Sequence, residues 1–182
     1  MATTESEPIK IVAYDPEWPA RFEAERSALA DAIGDLAKGG IHHVGSTAVP
    51  GLDAKPIIDV LVGVESLDAS RPAFDPLARL GYMYAPYLAD EMHWFCKPHP
   101  NRRTHHLHLA PVNGQRFRDE LDFRDRLRAN PDLAQRYADL KRSLAHRFEH
   151  DRESYTQAKA LFISEALSRP SSESAPLRGR IK

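Results

Sequence analysis

The chain has 182 residues, 42% of them hydrophobic and 28% charged, which fits one globular domain with a short extension and excludes a collagenous, coiled-coil or largely disordered chain. Its 25 Lys and Arg against 26 Asp and Glu leave a net charge of −1, so no bulk positive field draws it to nucleic acid or to a membrane surface. A single cysteine, Cys96, makes neither an internal disulfide nor a thiolate zinc cluster, and no apolar run approaches the ~20 residues of a membrane span. With an opening MATTESEPIK that lacks the basic and apolar segments of a signal peptide, the expected setting is the cytoplasm.

Residues 1–8 are polar and expected to be flexible. From Ile9 to Tyr14 the apolar residues alternate, which predicts a short strand. Asp15-Pro16 then opens a helix, since Asp accepts from the orphan amides of a first turn and Pro needs no amide there. Its apolar stripe runs through Phe22, Leu29, Ile33 and Leu36 until Gly39-Gly40 ends it. Strands are expected at Ile41–Val44 and Ile57–Val62, and the second is almost wholly apolar, as a central strand is. Asp59, in its middle, needs a partner or a task. Phe74, Leu77 and Leu80 mark a helix closed by Gly81, and Tyr82–Tyr84, Met92–Lys97 and Thr104–Leu109 read as a meander of short strands.

The remainder is helical. One helix carries Phe117 and Leu121, Asn130-Pro131 breaks and recaps it, and Leu133, Tyr137, Leu140, Leu144 and Phe148 continue at helical spacing. A last helix with Tyr155, Phe162 and Ala166 follows a cap at Asp151. Residues 169–182, with two prolines, three serines and no apolar periodicity, are expected to be a disordered basic tail. Residues 9–168 therefore read as one α/β (α+β) domain, a mixed sheet flanked by helices with a helical extension.

The chemistry concentrates between His42 and Asp59. Gly45-Ser46 leaves a strand, where a glycine lets the backbone approach a phosphate while the amides through Thr47 and the Ser46 hydroxyl donate to it. Asp59 on the next strand is placed to hold a metal that neutralises such a phosphate. An ordinary turn and a buried, satisfied carboxylate are the plain alternatives. Nine histidines occur, five of them between His93 and His108. Alternation puts Thr104, His106 and His108 on one strand face and His105 with Leu107 and Leu109 on the other, where packing is its expected role. His42 is expected to point away from His43, and His93 and His99 to be exposed loop or edge residues. Trp94-Phe95, Tyr137 and Tyr155 read as packing.

Gly-Ser, twelve intervening residues and Asp on an apolar strand resemble the signature of the nucleotidyltransferase superfold. At family level the resemblance is closer. Tyr14-Asp15-Pro16-Glu17-Trp18-Pro19, His43-Val44-Gly45-Ser46-Thr47-Ala48-Val49-Pro50-Gly51-Leu52, Ala54-Lys55-Pro56-Ile57-Ile58-Asp59 and Thr104-His105-His106-Leu107-His108 resemble the motifs of the GrpB family. Phe123-Arg124-Asp125, Tyr137 with Lys141 and Tyr155 with Lys159 resemble its C-terminal helical part. The resemblance implies the nucleotidyltransferase-like fold and relatives fused to dephospho-CoA kinase, and it carries no firm reaction. The superfold also places a second carboxylate two residues after the first; here that position is Leu61.

The leading expectation is a transferase moving a nucleotidyl or phosphoryl group from a nucleoside triphosphate to a small acceptor. Its metal ligands are Asp59, His106 and His108, a mixed N/O set better suited to Zn, Mn, Fe or Ni than to Mg alone, and the expected cofactor is a divalent metal, Mg, Mn or Zn. Ser46 and Lys55 act on the phosphate, and Gly45, Thr47, His43, Arg124, Lys141 and Lys159 bind it. The alternatives are a non-catalytic module that binds a nucleotide or CoA precursor, favoured by the lost carboxylate, and a hydrolase in which His106 or His108 is the base. Solvated helix faces and an Arg124–Asp125 salt bridge are the plain readings of the cations.

Overall fold

A computed structural model describes residues 8–168; the rest of the flexible segment expected at 1–8 and the basic tail expected at 169–182 lie outside the described residues. Five strands, β1 (Ile41–Val44), β2 (Ile58–Val64), β3 (Met83–Tyr84), β4 (His93–His99) and β5 (Arg102–Pro111), form one sheet in the order β1-β2-β5-β4-β3. Only the β2–β5 pair is parallel. The mixed sheet flanked by helices expected from the sequence is therefore present. In its register Asp59 lies between Val44 of β1 and His106 of β5.

Helix α1 (Trp18–Ile33) begins slightly later than expected, with Pro19 in its first turn. Asp15 tightens the turn ahead of it by accepting from the Glu17 amide at 2.9 Å. Trp18, Phe22, Leu29 and Ile33 pack on Val60, Val62, Phe95, Leu107 and Leu109, together with Leu77 of α2 (Phe74–Arg79). Each fully buried aliphatic side chain there is worth about 1.5–3 kcal/mol. Glu25 sits on the same buried stripe, satisfied by the Tyr82 hydroxyl (2.8 Å) and Lys97 Nζ (2.6 Å).

The opposite face of the sheet carries Val44, Leu61, Trp94, Cys96 and Ala110, covered by Phe117 and Leu121 of α3 (Gln115–Ala129). The Asn130 side chain caps α4 (Pro131–Arg147), accepting from Leu133 N at 3.0 Å, and α5 (Arg152–Ser168) follows. Val49 and Leu52, after β1, pack against Phe123, Leu127, Leu133, Tyr137 and Ala166. That contact ties the Gly45–Ser46 turn to the helical extension.

Two expectations need correction. Ile9–Tyr14 is not a strand: it makes one bridge, Val12 with Ala54, while Ile9 docks on Leu144, Ala145 and Tyr155 and donates to Glu149 O. Of the alternating residues only Ile9 is buried, Ile11 is half-buried and Ala13 is exposed, so the segment is anchored at its start and has no buried strand face. His93 is not exposed. It is 5% accessible, with Nε2 on Leu67 O at 3.0 Å and its ring edge-on to Phe74.

Candidate functional site

β1 ends at Val44, and the chain turns at once into a short 3-10 turn, Ser46–Ala48. Gly45 makes this possible twice over. Its φ of 69° is left-handed, and a Cβ on it would overlap the Asp59 carboxylate, whose Oδ2 faces the turn. Thr47 Oγ1 donates to Ile57 O at 3.2 Å, pinning the turn to the start of β2. Having one hydrogen, Thr47 must accept from His43 Nε2 at 2.9 Å, so His43 carries its proton on Nε2. Burial, and after it the opposing pull of Asp59, sets the His43 imidazole at about 4, neutral at physiological pH. Its ring stacks on Phe22 at 4.6 Å. His43 and buried Thr47 are thus part of the frame of the turn.

Arginines of α3 clasp the same loop. Arg124 donates to His43 O at 3.1 Å and pairs with Asp125, and Arg128 donates twice to Ala48 O. His42 lies on the other face, with its ring at Phe117 and Nε2 on Gly39 O.

Asp59 accepts from His106 Nδ1 at 2.8 Å. Burial pushes this carboxyl up, but the His106 hydrogen bond and the nearby charges of His106, His108 and Lys55 outweigh it and hold it at about 2. His106 lies beside Trp94, and its buried Nε2 has no hydrogen-bond partner among the described residues. His108, on the same face, is engaged elsewhere. Its Nδ1 sits 2.9 Å from both oxygens of Glu120, which also accepts from Arg116 at 2.6 Å. Glu120 was not anticipated. Its signal is an acidic residue adjoining the apolar stripe of Phe117 and Leu121.

The three expected metal ligands therefore do not assemble as one set: His106 orients on Asp59, and His108 on Glu120. Among the described residues no three His, Cys, Asp or Glu side chains are grouped to hold a metal. The second carboxylate position is Leu61, fully buried against Val44, Met92 and Trp94. The residues present do not fit a two-metal centre.

What surrounds Asp59 instead is positive charge. Lys141 lies on the buried stripe of α4, 2% exposed, and its Nζ donates to Ser46 Oγ at 2.9 Å and to Asp53 O. Burial, then the neighbouring Lys159, lowers its ammonium to about 7. Lys159 stands 4.5 Å from the centre of the Tyr155 ring, and Lys55 4.9 Å from the same ring. Burial, then Lys55, brings Lys159 to about 7; burial brings Lys55 to about 8 despite the attraction of Asp59. Among the described residues none of the three lysines pairs with a carboxylate within 4 Å. Tyr137 and Lys141 on α4, and Tyr155 and Lys159 on α5, form matching i, i+4 pairs with the ammonium over the ring. Both rings are buried, as packing residues are.

Comparison with known proteins follows the same lines. The family model described as GrpB protein matches residues 8–169. UPF0157 protein PA4798 of Pseudomonas aeruginosa is 41% identical over 166 residues, covering 88% of this chain and 67% of that protein. A dephospho-CoA kinase of Mycolicibacterium paratuberculosis is 32% identical, covering 89% of this chain and 46% of the kinase, so the chain spans about half of that relative. Among solved structures, conserved protein GrpB from Enterococcus faecalis superposes with a TM-score of 0.78 at 34% identity, covering 86% of this chain and 94% of that one.

Proposed function

The chain belongs to the GrpB family, and from that premise we propose that its domain binds a phosphorylated small molecule, a nucleotide or CoA precursor, over the Gly45–Ser46 turn. One observation carries the reading. The buried Lys141 and the half-buried Lys55 and Lys159 all feel the Asp59 carboxylate, with Lys141 also hydrogen-bonded to Ser46 Oγ at the turn, and desolvation lowers their ammonium groups to about 7 for Lys141 and Lys159 and about 8 for Lys55. Such a cluster is unfavourable alone and becomes favourable when an anion enters. A phosphate at the turn gains the ammonium charges and the amide of Ser46, and it draws protons onto the lysines. In this arrangement the lysines supply the counter-charge that a second metal supplies in two-metal sites. The relative named dephospho-CoA kinase supports a CoA precursor as a ligand class.

The test is calorimetric titration of the full chain with ATP, ADP and dephospho-CoA in EDTA. At least one should bind at a single site, and Lys141→Met should weaken it by about tenfold or more, as loss of a charge-assisted hydrogen bond does. Failure of all three to bind refutes the reading.

A second reading, nucleotidyl or phosphoryl transfer assisted by a divalent metal, is favoured by the ionised Asp59 with Oδ2 facing the turn. It predicts consumption of a nucleoside triphosphate with Mg, Mn or Zn and loss of that turnover in Asp59→Asn. Absence of consumption across acceptors and metals counts against it.

A further inference from the structure

Ser46 Oγ has neighbours that a hydroxyl serving only as a donor to phosphate does not need. Lys141 Nζ stands 2.9 Å from it and is also joined to Asp53 O. Tyr137, one turn earlier on the buried stripe of α4, bonds to the Ser46 side chain as well. One helix face thus carries an amine and a phenol to one oxygen. Thr47 beside it differs: it is 1% exposed, and its hydrogen is committed to Ile57 O. Ser46 is half-buried.

The protonation of Lys141 decides what it does to that oxygen. An ammonium can only donate to Ser46, whereas a neutral amine keeps a hydrogen on Asp53 O and turns its lone pair to the Ser46 hydroxyl, which then donates to Nζ. Burial and the neighbouring Lys159 of α5 bring the ammonium down to about 7, with Arg142 acting the same way and Asp53 and Asp59 opposing. A large share of the molecules therefore holds the amine near neutral pH, as a general base must.

We infer that Ser46 and Lys141 are a nucleophile and its base, and that Ser46 Oγ accepts a phosphoryl group from a phosphoanhydride. The inference rests on the reading that a phosphorylated ligand lies over this turn. As Oγ bonds to the terminal phosphorus, the bridging P–O bond breaks, its electron pair leaves with the nucleoside diphosphate, and the hydroxyl proton passes to Lys141 Nζ. The ammonium so formed faces the new phosphoserine and offsets its charge. Phosphorus is favoured over an acyl carbon because Lys159 is near enough to depress Lys141, so an anionic electrophile is attracted here while a neutral ester gains nothing.

The test is mass spectrometry of the full chain in two arms. With ATP, in magnesium or in EDTA, the Ser46 peptide should gain the mass of one phosphoryl group with release of an equal amount of ADP, and Ser46→Ala should gain none. A fluorophosphonate needs no nucleotide affinity; it should label Ser46 as fluoride leaves, at a rate that rises through about pH 7 and falls by about a hundredfold in Lys141→Met. Lys141→Arg keeps a charge but cannot take a proton, so it should bind ATP in calorimetry and leave Ser46 unmodified in both arms. Fluorophosphonate labelling that is absent, or equal in wild type and Lys141→Met, overturns the inference. ATP bound without an adduct on Ser46 overturns the phosphoryl step while upholding the reading of the turn. Labelling that depends on Lys141 in a chain that binds no ATP refutes the reading of the turn and the anhydride as donor, and upholds the nucleophile and its base.

Discussion

Lys141→Met should make the protein more stable while weakening its ligand affinity about tenfold or more. Lys141 is 2% exposed, and its ammonium falls from the ordinary 10.5 to about 7. That difference makes the buried charge cost about 4 kcal/mol at pH 7. Against it stand the hydrogen bonds to Ser46 and Asp53 O, together worth about 2 kcal/mol. Methionine keeps the length of the side chain and its packing on Tyr137. The net expectation is a gain of about 2 kcal/mol, or roughly 4–8 °C in melting temperature for a chain of this size.

The sign can be checked with pH. Because the folded value lies below the unfolded one, wild type gains stability as the pH rises from about 7 toward 10.5, where the amine is neutral in both states. The advantage of Lys141→Met should therefore shrink over that window in calorimetric melts. A variant that melts lower than wild type at pH 7 would show that the ammonium is a structural strut, and the reasoning from charge burial would be wrong.

Leu61→Asp, which restores the second carboxylate position, should cost about 3 kcal/mol or more, because it places an unpaired charge at a fully buried site; denaturant melts check this. Gly45→Ala should destabilise by about 2 kcal/mol through its φ of 69° and its overlap with Asp59, and should weaken ligand binding in the same preparation. Asp59→Asn should remove about 2 kcal/mol of stability at pH 7, the worth of a carboxyl held at about 2 rather than 3.8. In wild type that contribution is present above about pH 4 and is lost as the pH falls toward 2.

What was legible in the sequence was whatever a short period imposes. Alternation along β5 put His106 on the Asp59 side and His105 with Leu107 and Leu109, and the continuous apolar run of β2 marked a central strand. The helix break at Asn130-Pro131 was legible because both the cap and the proline act locally. Partners set by tertiary packing were not. Glu120 meets His108 only because α3 crosses that face of the sheet, and Lys141 reaches Ser46 from 95 residues away. Ile9–Tyr14 misled because its apolar residues alternate although only Ile9, docked on Leu144, Ala145 and Tyr155, is buried. Lys141 did carry a signal, a charged residue inside the apolar stripe of Leu133, Tyr137 and Leu144, but its target was a matter of the fold.

The most direct test of the central claim, that lysines rather than paired carboxylates and metals bind phosphate here, is ATP titration of wild type and Lys141→Met in EDTA and again with magnesium. Wild type should bind ATP without metal, and the variant about tenfold or more weakly. Binding that requires magnesium and is indifferent to Lys141→Met would contradict it.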